Sequence, residues 1–80
     1  MEPDAVAALI STGMPGSEVT VSGDGQHFEA VVVSPEFEGK SLLERQRLVM
    51  ATVAAEIHSG QLHALSIKTF TPAQWGARGG

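Results

Sequence analysis

The sequence predicts a single α/β domain of the α+β kind, ordered α-β-β-α-β-α around a three-stranded mixed sheet covered by helices. Three observations predict it. Turn residues Ser22-Gly23-Asp24-Gly25 lie between two runs rich in β-branched side chains, which is a hairpin signal and gives an antiparallel pair. Ser41 opens a long segment of helical periodicity that Gly60 closes. A further strand follows that helix, and a helical crossover is the connection that a parallel pair requires.

Each element has its own justification. Asp4 is placed to cap a short helix running to about Thr12, with Val6, Leu9 and Ile10 as its apolar face and Gly13 as its stop. Met14 to Ser17 is a turn. Val19 and Val21 alternate with polar neighbours, and His27 to Ser34 forms the second strand, ended by Pro35 because proline cannot donate to a ladder. Ser41-Leu42-Leu43-Glu44 fits a capping box, so the long helix starts at Leu42. At about 100° per residue, Leu42, Leu43, Val49, Met50, Val53, Ala54 and Ile57 share one stripe, which is assigned to the core. Leu48 falls on the outer face. Leu62 to Phe70 is the third strand, and Thr71-Pro72-Ala73-Gln74 repeats the capping-box spacing before a last short helix with Trp75. The domain therefore covers residues 1–76, and residues 77–80 are expected to fray as a flexible tail.

Composition narrows the function. The chain has 80 residues, 42% of them apolar and 18% charged, so it folds as one domain with modest stability to spare. With no cysteine, it has no disulfide scaffold, thiolate zinc site or cysteine nucleophile, and it cannot hold an iron–sulfur cluster by itself. Its longest apolar run, Ala5 to Ile10, is far short of the roughly 20 residues of a membrane span, and Glu2 and Asp4 replace the cationic start of a secretory signal. A cytoplasmic protein is expected. Residues 1–39 hold seven acids and no Lys or Arg, whereas residues 40–80 hold five bases and two acids. A duplex-DNA binder contacting about 6–10 phosphates needs more cations than one copy supplies.

The histidines carry the chemistry. Parallel neighbours start at the same edge of a sheet, and His27 begins one strand while His63 begins the other. His58 occupies the last turn of the crossover helix. All three are thus expected at one end of the molecule, beside the Asp24-Gly25 loop. Neutral imidazole is a metal ligand, and sites assembled from sequence-distant histidines are common. Simpler roles stay open: His58 suits a helix C-terminus, and His27 a polar loop. His63, between Leu62 and Ala64, is the hardest to explain as surface decoration.

Catalysis finds little support. There is no nucleophile elbow, phosphate-binding glycine loop or metal-binding HExxH helix, and the carboxylate of Asp24 near His27 lies on an open hairpin tip. The basic concentration is Lys40, Arg45 and Arg47, which reads either as a solvated helix start or as a nucleic-acid contact.

Phe37-Glu38-Gly39-Lys40-Ser41, Arg45-Gln46-Arg47 and above all Leu62-His63-Ala64-Leu65-Ser66-Ile67-Lys68-Thr69, with Thr71-Pro72 and Trp75, resemble the BolA family. The hairpin from Val19 to Val33 is most like its IbaG (YrbA) branch. The resemblance covers about residues 17–76 and implies an α-β-β-α-(α)-β-α fold of class II KH type, with the long helical segment broken near its start. It also implies a non-enzymatic role: binding a monothiol glutaredoxin in iron–sulfur cluster handling and iron homeostasis. On that model the glutaredoxin cysteine and glutathione supply two ligands of a shared [2Fe-2S] cluster. His63 and His27 match the family's other ligand positions, and no cluster is expected on the isolated chain. Lys68 and Arg78 are expected docking contacts, and weak pairing of the chain with itself stays open. The alternative is a KH-like nucleic-acid-binding regulator of transcription or stress response, using Lys40, Arg45 and Arg47. Against it, the Arg-His-Arg of proposed regulators is Arg45-Gln46-Arg47 here, and no Gly-x-x-Gly loop follows Gly39.

Overall fold

In the computed structural model, which describes residues 1–78, two helices pack on one side of a three-stranded sheet. The order is α1 (Pro3–Gly13), β1 (Glu18–Gly23), β2 (His27–Val33), a 3-10 turn (Pro35–Phe37), α2 (Leu42–Thr52), α3 (Ala54–Ser59), β3 (Ala64–Phe70) and α4 (Pro72–Ala77). The sheet order is β1-β2-β3, with β1 and β2 antiparallel and β2 and β3 parallel. The mixed topology expected from the element order is therefore present.

Alternation along the strands sets two faces. Phe28, Ala30 and Val32 of β2 point into the core, where Val6, Ile10, Met14, Phe37, Val49, Val53 and Leu62 join them. His27 and Glu29 of β2 and Ser66 and Lys68 of β3 lie on the exposed face. Both predicted capping boxes form. Ser41 Oγ accepts from the Glu44 amide while Glu44 accepts from the Ser41 amide, and Thr71 and Gln74 reciprocate in the same way. Gln46 Nε2 donates to the Ile67 carbonyl at 2.9 Å, fastening α2 to the edge strand β3.

Several local expectations are corrected. Asp4 is not the cap of α1: the helix begins at Pro3, whose fixed φ suits the first helical position, and Asp4 sits in the first turn. Gly13 is the last residue of α1, as expected, and it is also a close-packing site, since a Cβ there would come within 2.9 Å of Thr52 Cβ. The third strand starts at Ala64 rather than Leu62, and Leu62 instead turns into the core. The crossover is two helices, not one, and the break falls at Val53 rather than near the start. Val53 leaves helical geometry (φ −122°, ψ 16°), and Thr52 Oγ1 bonds back to the Val49 carbonyl at 2.6 Å.

The buried stripe of α2 is also rotated from the expected one. Arg45, Val49 and Val53 face inward, while Leu42 and Leu43 are 71% and 58% exposed. Leu48, assigned to the outer face, packs against the core. At the C-terminus, α4 continues through Ala77 and Arg78 folds onto aromatic rings, so the frayed tail does not begin at residue 77. The expectation for Gly79 and Gly80 lies outside the described residues.

Candidate functional site

The hairpin tip presents His27 on a backbone already held in place. Asp24 Oδ1 accepts from the amides of Gln26 and His27, both at 2.9 Å, and the Asp24 amide donates to the His27 carbonyl at 3.3 Å. Gly25 supplies the left-handed residue of the turn (φ 95°). The amide donors of His27 and Gln26 stabilise the charged carboxylate of Asp24 and hold its pKa below the ordinary 3.8. A depressed carboxylate contributes its stabilisation above its unfolded-state pKa and loses it as pH falls through the folded-state value. The turn should therefore stay locked through neutral and mildly acidic solution. In an NMR titration, the Gln26 and His27 amide protons should shift together with a midpoint below 3.8. Asp24→Asn, which keeps an acceptor oxygen, should abolish that titration, and amides that do not titrate in the parent would refute the carboxylate lock.

His27 pairs in register with Ala64, so His63 lies one residue outside the ladder at the same sheet edge. One ladder spacing plus one residue puts the two α-carbons within roughly 9 Å. Both side chains are exposed, and Leu62, buried immediately before His63, anchors that segment. The structure thus brings the two expected ligands to one rim open to solvent. His58 does not complete a triad with them. It is exposed on α3 and lines a separate hollow of about 330 Å³ with Met50, Ala51, Ala54 and Ile57. Among the described residues no three His, Cys, Asp or Glu side chains form a metal-holding group.

The expected cations divide into different roles. Lys68 stays on the exposed sheet face, 3.6 Å from Glu29 in a solvated pair that contributes little stability. Arg45 is withdrawn from the nucleic-acid set, because it is only 7% exposed. Its Nε donates to the Lys40 carbonyl (3.1 Å), one terminal nitrogen donates to Gln74 Oε1 (2.9 Å), and its carbon Cζ lies 5.7 Å from the centroid of the Phe37 ring. Lys40 and Arg47 remain exposed, with the Lys40 ammonium donating to the Glu36 carbonyl. Arg78 lies over both Phe70 and Trp75, at 4.8 and 5.0 Å from their ring centroids. Those rings meet each other at 5.1 Å. Because β3 separates Phe70 from His63, Arg78 is roughly 20 Å from the histidine rim, at about 3.3 Å per strand residue.

Sequence reasoning missed this aromatic and arginine cluster. The signal available was the cap at Thr71, which turns the chain sharply enough to bring Trp75 back beside Phe70.

A model of the BolA-like protein family matches residues 11–74. Acid stress protein IbaG of Escherichia coli K12 is 36% identical over 75 residues, 94% of this chain and 89% of that protein. A solved BolA homologue from Coxiella burnetii is 42% identical and superimposes with a TM-score of 0.87, covering 95% of this chain and 97% of the other. The BolA domain of SufE1 from Arabidopsis thaliana is 32% identical with a TM-score of 0.70, over 89% and 92% of the two chains. None of these names denotes an enzyme. Among the described residues no helix is long and apolar enough to cross a membrane.

Proposed function

The chain belongs to the BolA family, and from that premise we propose that it is a non-enzymatic cytosolic adaptor that docks a monothiol glutaredoxin and shares a [2Fe-2S] cluster with it. The observation that carries the reading is the exposed His27 and His63 pair at one sheet edge. Two imidazoles supply half of a four-ligand set, and a chain without cysteine must take thiolates from outside. The glutaredoxin cysteine and glutathione fill those places. When bound, the cluster supplies one-electron and iron-transfer chemistry.

This chain's residues do three things in that role. Asp24 fixes the hairpin backbone, so His27 is presented with little ordering left to do on docking. Leu62 does the same for the approach to His63. Lys68, on the same exposed face, is a contact for an acidic group on the partner, whereas Arg78 belongs to a different surface. Ligation needs neutral imidazole, so protonation of either histidine favours release.

Reconstitution with glutathione-loaded monothiol glutaredoxin tests the reading. His63→Ala should reduce the lifetime of the shared cluster, followed by visible circular dichroism, at least tenfold, while apo-protein docking persists. An unchanged spectrum and lifetime would defeat the ligand assignment. The nucleic-acid alternative loses Arg45 to the protein interior and has no compensating observation in its favour.

A further inference from the structure

Where the start of α2, the end of β3 and α4 meet, Leu42, Arg45, Thr69, Phe70 and Arg78 line an open hollow of about 400 Å³. Among the described residues its cations are not matched by acids: the one ion pair is Lys68 with Glu29, and no described carboxylate pairs with Arg45 or Arg78. That is unusual for Arg45, because a buried charge is normally paired with an opposite one. Its hydrogen bonds go to two neutral oxygens, of Lys40 and Gln74, which leaves three of the five N–H donors of a guanidinium unassigned. The Arg78 guanidinium carbon lies over both Phe70 and Trp75, and a guanidinium held by aromatic rings keeps N–H donors for hydrogen bonds. Among the described residues the Thr69 hydroxyl oxygen is the one buried side-chain polar atom with no hydrogen-bond partner, and Thr69 lines the same hollow.

Apolar surface borders these donors. Leu42 is 71% exposed, and Phe70 is half-buried on the other side of the same hollow. We propose that this hollow binds a carboxylate carried on a short apolar body, the carboxylate meeting Arg45 and Arg78 and the body lying on Leu42 and Phe70. A planar carboxylate matches the fork of a guanidinium. Inorganic phosphate could use the cations, but it has nothing to place on the leucine and the phenyl ring. The chemistry is shared by the C-terminal residue of an apolar peptide and by a free short-chain acid. The site is independent of the histidine rim, so it stands or falls without any glutaredoxin.

Trp75 is the only tryptophan of the chain and touches the cluster through Arg78 and Phe70, so its indole resonance and fluorescence report on the site. The intact chain is titrated at constant ionic strength with N-acetyl-leucine, hexanoate, N-acetyl-leucinamide and inorganic phosphate. N-acetyl-leucine should bind saturably at least tenfold more tightly than its amide and than phosphate. Equal binding of hexanoate identifies a free acid as the source, and binding of N-acetyl-leucine alone identifies a peptide terminus. Arg78→Gln, an exposed position whose loss leaves the core untouched, should weaken N-acetyl-leucine at least fivefold by calorimetry. The proposal is overturned if the amide or phosphate binds as well as N-acetyl-leucine, if neither carboxylate saturates, or if Arg78→Gln changes nothing.

Discussion

Phe37→Ala should destabilise the protein by about 3–5 kcal/mol, the usual cost of emptying a fully buried aromatic site. Phe37 is the largest side chain with no exposed surface, and it closes the core from a three-residue 3-10 turn rather than from a helix or strand. The turn itself is fixed locally. Pro35 sets its first dihedral, and Ser34 Oγ accepts from the Glu36 amide at 3.1 Å. Removing the ring therefore leaves a rigid turn with nothing to fill the space beneath it. A domain of 80 residues holds about 4–12 kcal/mol in total, so the loss is a large fraction of the whole. The ring also lies beneath the Arg45 guanidinium, and its removal strips that cation of one of its few favourable neighbours. Thermal melting should fall by more than about 12 °C, taking about 4 °C per kcal/mol for a domain of this size. Phe37→Leu should recover most of the loss. An alanine variant within 1 kcal/mol of the parent in urea unfolding would show that the turn collapses to fill the cavity.

The same turn shows where local sequence signals stop being informative. The capping boxes at Ser41 and Thr71 are complete within four residues each, and both appear as expected. The parallel pairing of β2 and β3 follows from element order alone, and it was enough to place His27 beside His63. Arg45 is different. Its burial depends on Gln74, 29 residues away, and on Phe37 in a separate turn, so no window around it announces an inward-facing cation. Counting apolar residues around the wheel then rotates the stripe toward Leu42, Leu43 and Met50, which the fold leaves exposed. The break at Val53 is likewise unmarked by glycine or proline. It rests on a threonine hydroxyl competing for a helical carbonyl, a choice that threonine makes in some helices and not in others. The candidate site was legible because it depends on strand order and loop chemistry. The cluster of Phe70, Trp75 and Arg78 was not, because it depends on how a short helix folds back.

Gly23→Ala should cost about 2–3 kcal/mol and, more usefully, should separate the presentation of His27 from its identity. A Cβ at Gly23 would collide with the His27 carbonyl oxygen and would come within 2.8 Å of Phe28 Cδ1 and 3.0 Å of Phe28 Cα. None of these can yield cheaply. The carbonyl accepts from the Asp24 amide, and Phe28 is 3% exposed in the core. The strain can be relieved only by moving the hairpin tip, which carries His27 with it. Gly25, two residues on, is the control: its φ of 95° penalises alanine by about 1–2 kcal/mol, but no atom lies within 4 Å of the added carbon. Gly25→Ala should therefore leave the Asp24 bonds and the His27 position nearly intact. If the two imidazoles act as a preset pair, Gly23→Ala should shorten the lifetime of the shared cluster although both histidines are present, and Gly25→Ala should not. Equal lifetimes in both variants, with the His27 amide displaced only in the first, would mean that the rim tolerates a moving ligand and that docking, rather than the hairpin, sets its geometry.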